Sequence, residues 1–377
     1  MTEPIPIYQG QDFYVPYFEV KLQNRPLKQD VVRDVIQVTY KDNVKSIDSF
    51  DITINNWDAE KLTFKYSDTG LFDPHKRLEL WMGYYGKDRL RLMLTGEITA
   101  LRPTFPASGP PTLSISGQNL LHRLRGKQES HAYENRTDSE IARQIGGRLS
   151  MRVRTDPAAA ATEERYKYLY QHNEYDIIYL MKRAQRIGYD LFIEENGENG
   201  QAKDSTLCFL PSVNLRRKIY KLTYGRSLIQ FQPSLSTANQ VGKVRYQGWD
   251  HENKKKIEYT AQRSDIATKG VGTEGGQSSI DQSFRDREEV ITTQPVLSEQ
   301  EAKTLATETL ERIAKEMVTG TGSTVGLPDL RAGSIIEIDG LGTRFSGRYF
   351  VTATTHAIGD SGYTTQFECR LEELKRG

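Results

Sequence analysis

The chain has 377 residues, of which 37% are hydrophobic, 10% aromatic and 27% charged. That length suits two or three domains of ~150 residues, with a core that needs no disulfide staples. With 51 Lys and Arg against 50 Asp and Glu, the balance argues against a dedicated nucleic-acid binder, which carries a basic excess.

Residues 1–125 read as a first β domain. Residues 15–22 alternate in part. Residues 31–40, 49–55, 77–82 and 91–101 are short β-branched or aromatic runs broken by Pro, Gly and Asn. Short strands at this spacing predict a barrel or sandwich. The start, Met1-Thr2-Glu3-Pro4-Ile5, lacks the basic-then-apolar form of a secretory signal. No run in the chain reaches the ~18 apolar residues of a membrane span.

Residues 126–221 change character. Thr137-Asp138-Ser139-Glu140 has the form of a capping box, Ile141, Ala142 and Ile145 follow on one helical face, and Gly146-Gly147 closes the helix. Asn173 is predicted to cap a second helix striped with Ile177, Ile178, Leu180, Met181, Ala184 and Ile187, with Gly188 as its stop. A strand at 189–193, a turn at Asn196-Gly197 and a return strand at 207–210 complete an α+β insert.

Residues 222–377 are β again. They hold one helix, at about 298–318, opened by a second capping box, Ser298-Glu299-Gln300-Glu301. Its buried face is Ala302, Leu305, Ala306, Leu310, Ile313 and Met317, and Gly320 and Gly322 are predicted to end it. Residues 261–286 are rich in Gly, Ser and Gln and predict a flexible loop, mobile or ordered by a partner.

A weak internal repeat links the two β segments. Arg77-Leu78-Glu79-Leu80, Leu94-Thr95-Gly96-Glu97-Ile98 and Thr112-Leu113-Ser114-Ile115 parallel Ser334-Ile335-Ile336-Glu337-Ile338, Phe345-Ser346-Gly347-Arg348-Tyr349 and Thr364-Thr365-Gln366-Phe367. The order is strand, Gly turn, strand, loop, strand in both.

No signature of catalysis is present: no nucleophile elbow, no zinc-protease helix, no phosphate loop and no dinucleotide fingerprint. No catalytic, cofactor-binding or metal residue is therefore assigned, and no cofactor is expected. The histidines, His75, His122, His131, His172, His251 and His356, show no metal-ligand spacing. The carboxylate pairs Glu163-Glu164, Glu194-Glu195, Glu288-Glu289 and Glu372-Glu373 lie in polar surroundings and read as solvated surface. Cys208 and Cys369 sit in apolar runs without Cys-x-x-Cys spacing and read as buried free thiols of a reducing compartment. The 20 Tyr point to interfaces, where tyrosine is enriched.

Six blocks, in order, resemble the phage late control protein D family, which includes baseplate hubs and the N-terminal hub part of type VI (VgrG-like) spikes. They begin at Leu113-Ser114-Ile115-Ser116-Gly117-Gln118-Asn119, where Asn119 stands in place of the family's usual Asp, and at Thr137-Asp138-Ser139-Glu140-Ile141. Gln171-His172-Asn173-Glu174-Tyr175-Asp176 and Leu222-Thr223-Tyr224-Gly225-Arg226 follow. Val244-Arg245-Tyr246-Gln247-Gly248-Trp249-Asp250 and Leu327-Pro328-Asp329-Leu330-Arg331-Ala332-Gly333, through to His356, complete the set.

The resemblance implies a mainly β chain with two tube-like β-barrel domains, 1–125 and 222–377, an α+β insert at 126–221, and a pseudo-hexameric ring made by three copies. It implies a structural hub that adapts a hexameric inner tube to a separate trimeric spike, in contact with other baseplate or wedge proteins. It implies neither nucleic-acid specificity nor membrane insertion. Such a chain is made in a bacterial cytoplasm and built into the baseplate of a phage tail or injection particle. The barrel edges and the loop Gly270 to Ser279 are the expected partner contacts. The alternatives are a cell-wall hydrolase or a carbohydrate-binding component of the same particle.

Overall fold

The computed structural model describes residues 4–7, 15–86, 90–198, 201–211, 219–250, 253–266, 283–292, 296 and 298–374. The chain is mainly β, with an α+β unit between two β-rich halves. Strand β1 (Pro16–Leu22) opens the first half. Helix α1 (Gln29–Asp34) leads into β2 (Val35–Asn43), followed by β3 (Ser49–Asn55), β4 (Arg77–Tyr84), β5 (Arg91–Thr104) and β6 (Thr112–Asn119). In β3 and β6 every second residue is buried, the period-2 pattern of a half-buried strand. The predicted strand at 31–40 begins later, at Val35. Its first part turns into α1, which buries Val31 in the core of the first half.

The middle unit holds β7 (Gln128–Arg136), α2 (Asp138–Gly147), β8 (Arg152–Thr155), α3 (Pro157–Thr162), β9 (Tyr166–Tyr175), α4 (Asp176–Arg186), β10 (Tyr189–Glu194) and β11 (Thr206–Pro211). Thr137 and Glu140 form the expected capping box of α2. Asn173 does not cap α4. It lies in β9 at φ 43, and β9 stays paired with β7 as far as Tyr175. The Gln171 amide, bonded to Glu174 O and Asp176 Oδ1 at 2.9 Å each, holds the strand and moves the helix start to Asp176. Arg183 of α4 forms a buried two-point pair with Asp138 of α2, at 2.5 and 3.0 Å.

The second β half comprises β12 (Ile219–Thr223), β13 (Leu228–Leu235), β14 (Lys243–Asp250), β15 (Lys255–Gln262), β16 (Glu288–Ile291), α5 (Glu299–Lys315), β17 (Val318–Val325), β18 (Ile335–Asp339), β19 (Gly347–Gly359) and β20 (Gly362–Leu374). Helix α5 packs on the small sheet β15-β14-β16. Ser298 caps it through Glu301 N at 3.0 Å, but the Glu301 carboxylate turns to Arg186 of α4 at 2.6 Å, so the box is half formed. Gly320 and Gly322 do not end this helix. They lie in β17 under the rings of Phe231 and Phe367, whose nearest atoms would stand 2.5 Å from an added Cβ. Most of the loop expected at 261–286, including Gly270 to Ser279, lies outside the described residues. Cys208 and Cys369 are free and buried.

The two halves repeat one another. In chain order β2, β3, β4, β5 and β6 pair as β4-β5-β6-β3-β2, and β13, β17, β18, β19 and β20 pair as β18-β19-β20-β17-β13, all antiparallel. Two β-bulges fall at the same places. Ile36 is the unpaired residue between Val35 and Gln37, and Ile229 between Leu228 and Gln230. Thr99, between Ile98 and Ala100 on β5, answers Thr352, between Val351 and Ala353 on β19. A bulge is a built feature that sets twist and register, so the coincidence fixes the overlay residue by residue. It sets Leu78-Glu79-Leu80 on Ile336-Glu337-Ile338, one place from the sequence pairing of Arg77 with Ser334. The second half differs by the excursion through β14, β15, β16 and α5, and by β12, which runs parallel to β18 where β1 is antiparallel to β4. No helix among the described residues is long and apolar enough to cross a membrane.

Candidate functional site

The two halves join edge to edge. The later part of β19 pairs with β2, Ala353 opposite Asn43 through to Ile358 opposite Val38. Strands β5, β6, β3, β2, β19, β20, β17 and β13 thus form one continuous sheet.

The outward face of this sheet is a polar wall. One row of neighbours reads Gln118, Ser49, Lys41, Thr355, Gln366, Ser323, Gln230 across seven strands. The row beside it reads Ser116, Asp51, Thr39, Ala357, Thr364. Hydroxyls and amides dominate, and the charges come in both signs: Lys41 and Arg102, Asp51 and Glu368. Asp51 accepts bonds from Ser114 Oγ at 2.7 Å and Ser116 Oγ at 2.6 Å, and Arg102 donates to Ser116 Oγ at 2.8 Å. The concave patches around Asp51 and around Thr321 overlap at equivalent residues of the two halves, Asp51 with Thr321, Arg102 with Thr355 and Ser116 with Glu368.

The inner side of the seam carries a buried polar network. Asp42, Tyr40, Thr354 and His356 are at most 5% exposed. The Arg331 guanidinium donates to Asp42 Oδ2 at 2.8 Å, to Met93 O at 3.0 Å and to the Tyr40 hydroxyl, and lies 4.4 Å from the Tyr40 ring centre. Ala332 N also donates to Asp42, at 3.1 Å, and Thr354 Oγ1 donates to its other oxygen. His356 Nε2 donates to Leu330 O at 2.9 Å, leaving Nδ1 to accept from Tyr363 or Thr365 at 3.0 and 3.1 Å. Every member has a partner, the condition under which a buried polar cluster specifies one geometry.

The middle unit is tied to the same region. Thr95 N and Ser205 Oγ donate to Glu195 at 3.0 and 2.7 Å. Gly197 sits so close to Trp81 that an added Cβ would stand 2.5 Å from the ring. Asp48 receives a bond from Asn119 Nδ2 at 3.1 Å. Burial first, and the neighbouring Asp42 second, push the Asp48 carboxyl up to about 7. The folded chain therefore holds this proton over a pH range in which the unfolded chain has lost it, and stability from this group falls as pH rises from about 4 to about 7. An Asp48→Asn chain should gain thermal stability relative to the parent as the pH is raised from 4 to 8. Melting scans across that range check it, and a difference independent of pH would refute it.

Nothing in the sequence marks any of these as a site residue. Arg331 and His356 fall within the last resemblance block, but nothing local announces that both reach a common Asp42. The carboxylate pairs that read as solvated surface hold structural partners instead. Glu163 binds Ser139 N and Oγ, Glu164 binds Ser298, Glu194 pairs with Arg154, Glu288 with Arg245, and Glu372 with Arg370 and Lys315. Exposed aromatics, the mark of a carbohydrate face, are scattered over Tyr17, Tyr85, Tyr224 and Trp249, and β9 carries a ladder of them. Tyr168 and Tyr170 have ring centres 6.4 Å apart, and His172 lies 5.7 Å beyond Tyr170.

A family model described as the Alg8 N-terminal domain matches residues 15–360. No curated protein matches the sequence. Among solved structures, the 43 kDa tail protein of prophage MuSo2 from Shewanella oneidensis is similar with a TM-score of 0.69 at 11% identity, over 94% of this chain and 98% of that one. The tail protein from Neisseria meningitidis MC58 follows with a TM-score of 0.67 at 13% identity, over 95% and 97%. The c3393 protein of E. coli, a type VI secretion component described as similar to the bacteriophage T4 tail proteins gp27 and gp5, gives 0.56 at 12% identity, over 94% and 76%. At these identities the likeness is one of fold.

Proposed function

This chain belongs to the Alg8 N-terminal domain family, and from its likeness in fold to phage tail proteins we propose that it is a structural, non-enzymatic hub of a contractile tail or injection particle. Three copies close head to tail into a ring. The two β halves, proposed as domains 1–125 and 222–377, take six quasi-equivalent positions, and the unit 126–221 braces them from outside. The ring seats a hexameric inner tube on a separate trimeric spike and meets other baseplate proteins around its rim. The chain is made in a bacterial cytoplasm before incorporation into the particle.

The observation that carries this reading is the duplication with coincident bulges. A closed ring relates neighbouring units by rotation alone, so equivalent residues share one height on the wall. The polar sheet face then lines the channel. Its mixed, near-balanced charges give passing cargo no sustained attraction.

The test is the mass in solution of the full chain, alone and co-expressed with the spike candidate encoded beside it. A trimer in either sample is the expected result. A monomer in both would refute the ring.

A further inference from the structure

We propose that the ring closes by antiparallel pairing of the end of β5 with β13 of the next copy, in the register of the seam already present inside the chain. The inference rests on the ring reading and specifies its interface.

The internal seam is the template. Strand β19 uses one edge twice: its first part pairs with β18, Ile335 opposite Phe350, and its later part pairs with β2. Strand β5 is built alike. Its first part pairs with β4, Arg77 opposite Glu97. Its later part, from Ala100, pairs with β6 on one side and with no strand among the described residues on the other. Strand β13, the counterpart of β2, pairs only with β17 among the described residues. Among the described residues, one open edge of each kind remains. Such edges have to be covered or blunted.

The bulges fix the register. Thr99 on Thr352 sets Ala100 on Ala353, and Ile36 on Ile229 sets Ser236 on Asn43. Within the chain Ala353 lies opposite Asn43, Thr354 opposite Asp42, His356 opposite Tyr40 and Ile358 opposite Val38. Carried to the open edges, this places Leu101 opposite Leu235, Arg102 opposite Ser234, Pro103 opposite Pro233, and Phe105 opposite Phe231.

The side chains agree with that register. On the inner side of the internal seam the matching residues are all buried. On the open edges their counterparts are all apolar and incompletely covered: Phe105 is 60% exposed, Pro103 is exposed, and Leu101, Phe231, Pro233 and Leu235 are half-buried. The register sets leucine on leucine, proline on proline and phenylalanine on phenylalanine. A slip of one residue would turn the apolar set to the wrong face. On the outer side Arg102 meets Ser234, so the polar wall runs on into the next copy. Pro103 and Pro233 carry no N–H, so in this register that pair adds apolar contact and no ladder hydrogen bond.

Cysteine pairs read the register directly. Opposite residues of an antiparallel pair have Cα atoms about 4.5–5.5 Å apart, within disulfide reach, whereas Cα separations above about 7 Å cannot be bridged. The full-length double variants Arg102→Cys/Ser234→Cys and Leu101→Cys/Leu235→Cys should give covalent dimers and trimers on non-reducing denaturing gels after mild oxidation. The shifted pair Arg102→Cys/Gln232→Cys should not. The first pair lies on the polar face, so it stands even where the leucine pair disturbs folding. The native Cys208 and Cys369 are buried, and the parent chain under the same oxidation gives the background. A trimer by mass that cross-links in the shifted register, or in neither, overturns this interface and leaves the ring reading intact. A chain that stays monomeric with its spike overturns both.

Discussion

An Arg331→Ala chain should unfold about 3–5 kcal/mol more easily than the parent, the usual cost of removing one partner of a buried ion pair. Asp42 and Arg331 have side chains 4% and 11% exposed. Without the guanidinium, the Asp42 carboxylate stays buried and loses its charged partner, although Ala332 N and Thr354 Oγ1 still donate to it. The loss falls at the joint between the β halves, because Arg331 precedes β18 while Asp42 and Tyr40 lie on β2. An Arg331→Met/Asp42→Asn chain should recover part of the loss, since no unpaired charge stays buried. By contrast Arg154→Ala, in a pair whose side chains are 43% and 40% exposed, should cost no more than about 1 kcal/mol. Urea unfolding of the four chains decides the matter. Equal costs for Arg331 and Arg154 would mean that the seam network does not hold the halves together.

The second large effect belongs to Trp81. This residue is 1% exposed and forms the floor on which the turn at Gly197 sits, with the Lys21 ammonium 5.3 Å from its ring centre. Trp81→Ala should cost about 3–5 kcal/mol, and it should loosen the middle unit from the first half. Trp249, 50% exposed, is the matched control, and Trp249→Ala should stay within about 0.5 kcal/mol. Unfolding curves give the energies, and limited proteolysis near residues 194–198 reads the docking. A Trp81→Ala chain with parental stability and parental protection would remove this contact from the account.

Much of the architecture was legible in the sequence because its signals are local. Alternation in β3 and β6 needs only neighbouring residues, as does the Thr137 capping box. The errors arose where a distant group decided. Asn173 is a good cap by type, yet the Gln171 amide and the β7 ladder keep the chain extended past it. Gly320 and Gly322 look like helix terminators, but they are strand residues that make room for the rings of Phe231 and Phe367. The helix at 29–34 is masked by the β-branched Val31 and Val32, which read as strand residues, although only Val31 enters the core. The repeat could be seen as strand order, but its register could not, because bulges at Ile36, Thr99, Ile229 and Thr352 leave no residue-type mark. The seam network joins Asp42 to Arg331 across most of the chain, so no window on the sequence contains both.

Six quasi-equivalent β units sharing one ring are tested most directly by end-on electron microscopy of the chain co-expressed with its spike. The expected view is a three-fold particle with six similar lobes around an open centre. Discrete monomers, or three lobes without the finer six-fold repeat, would contradict it.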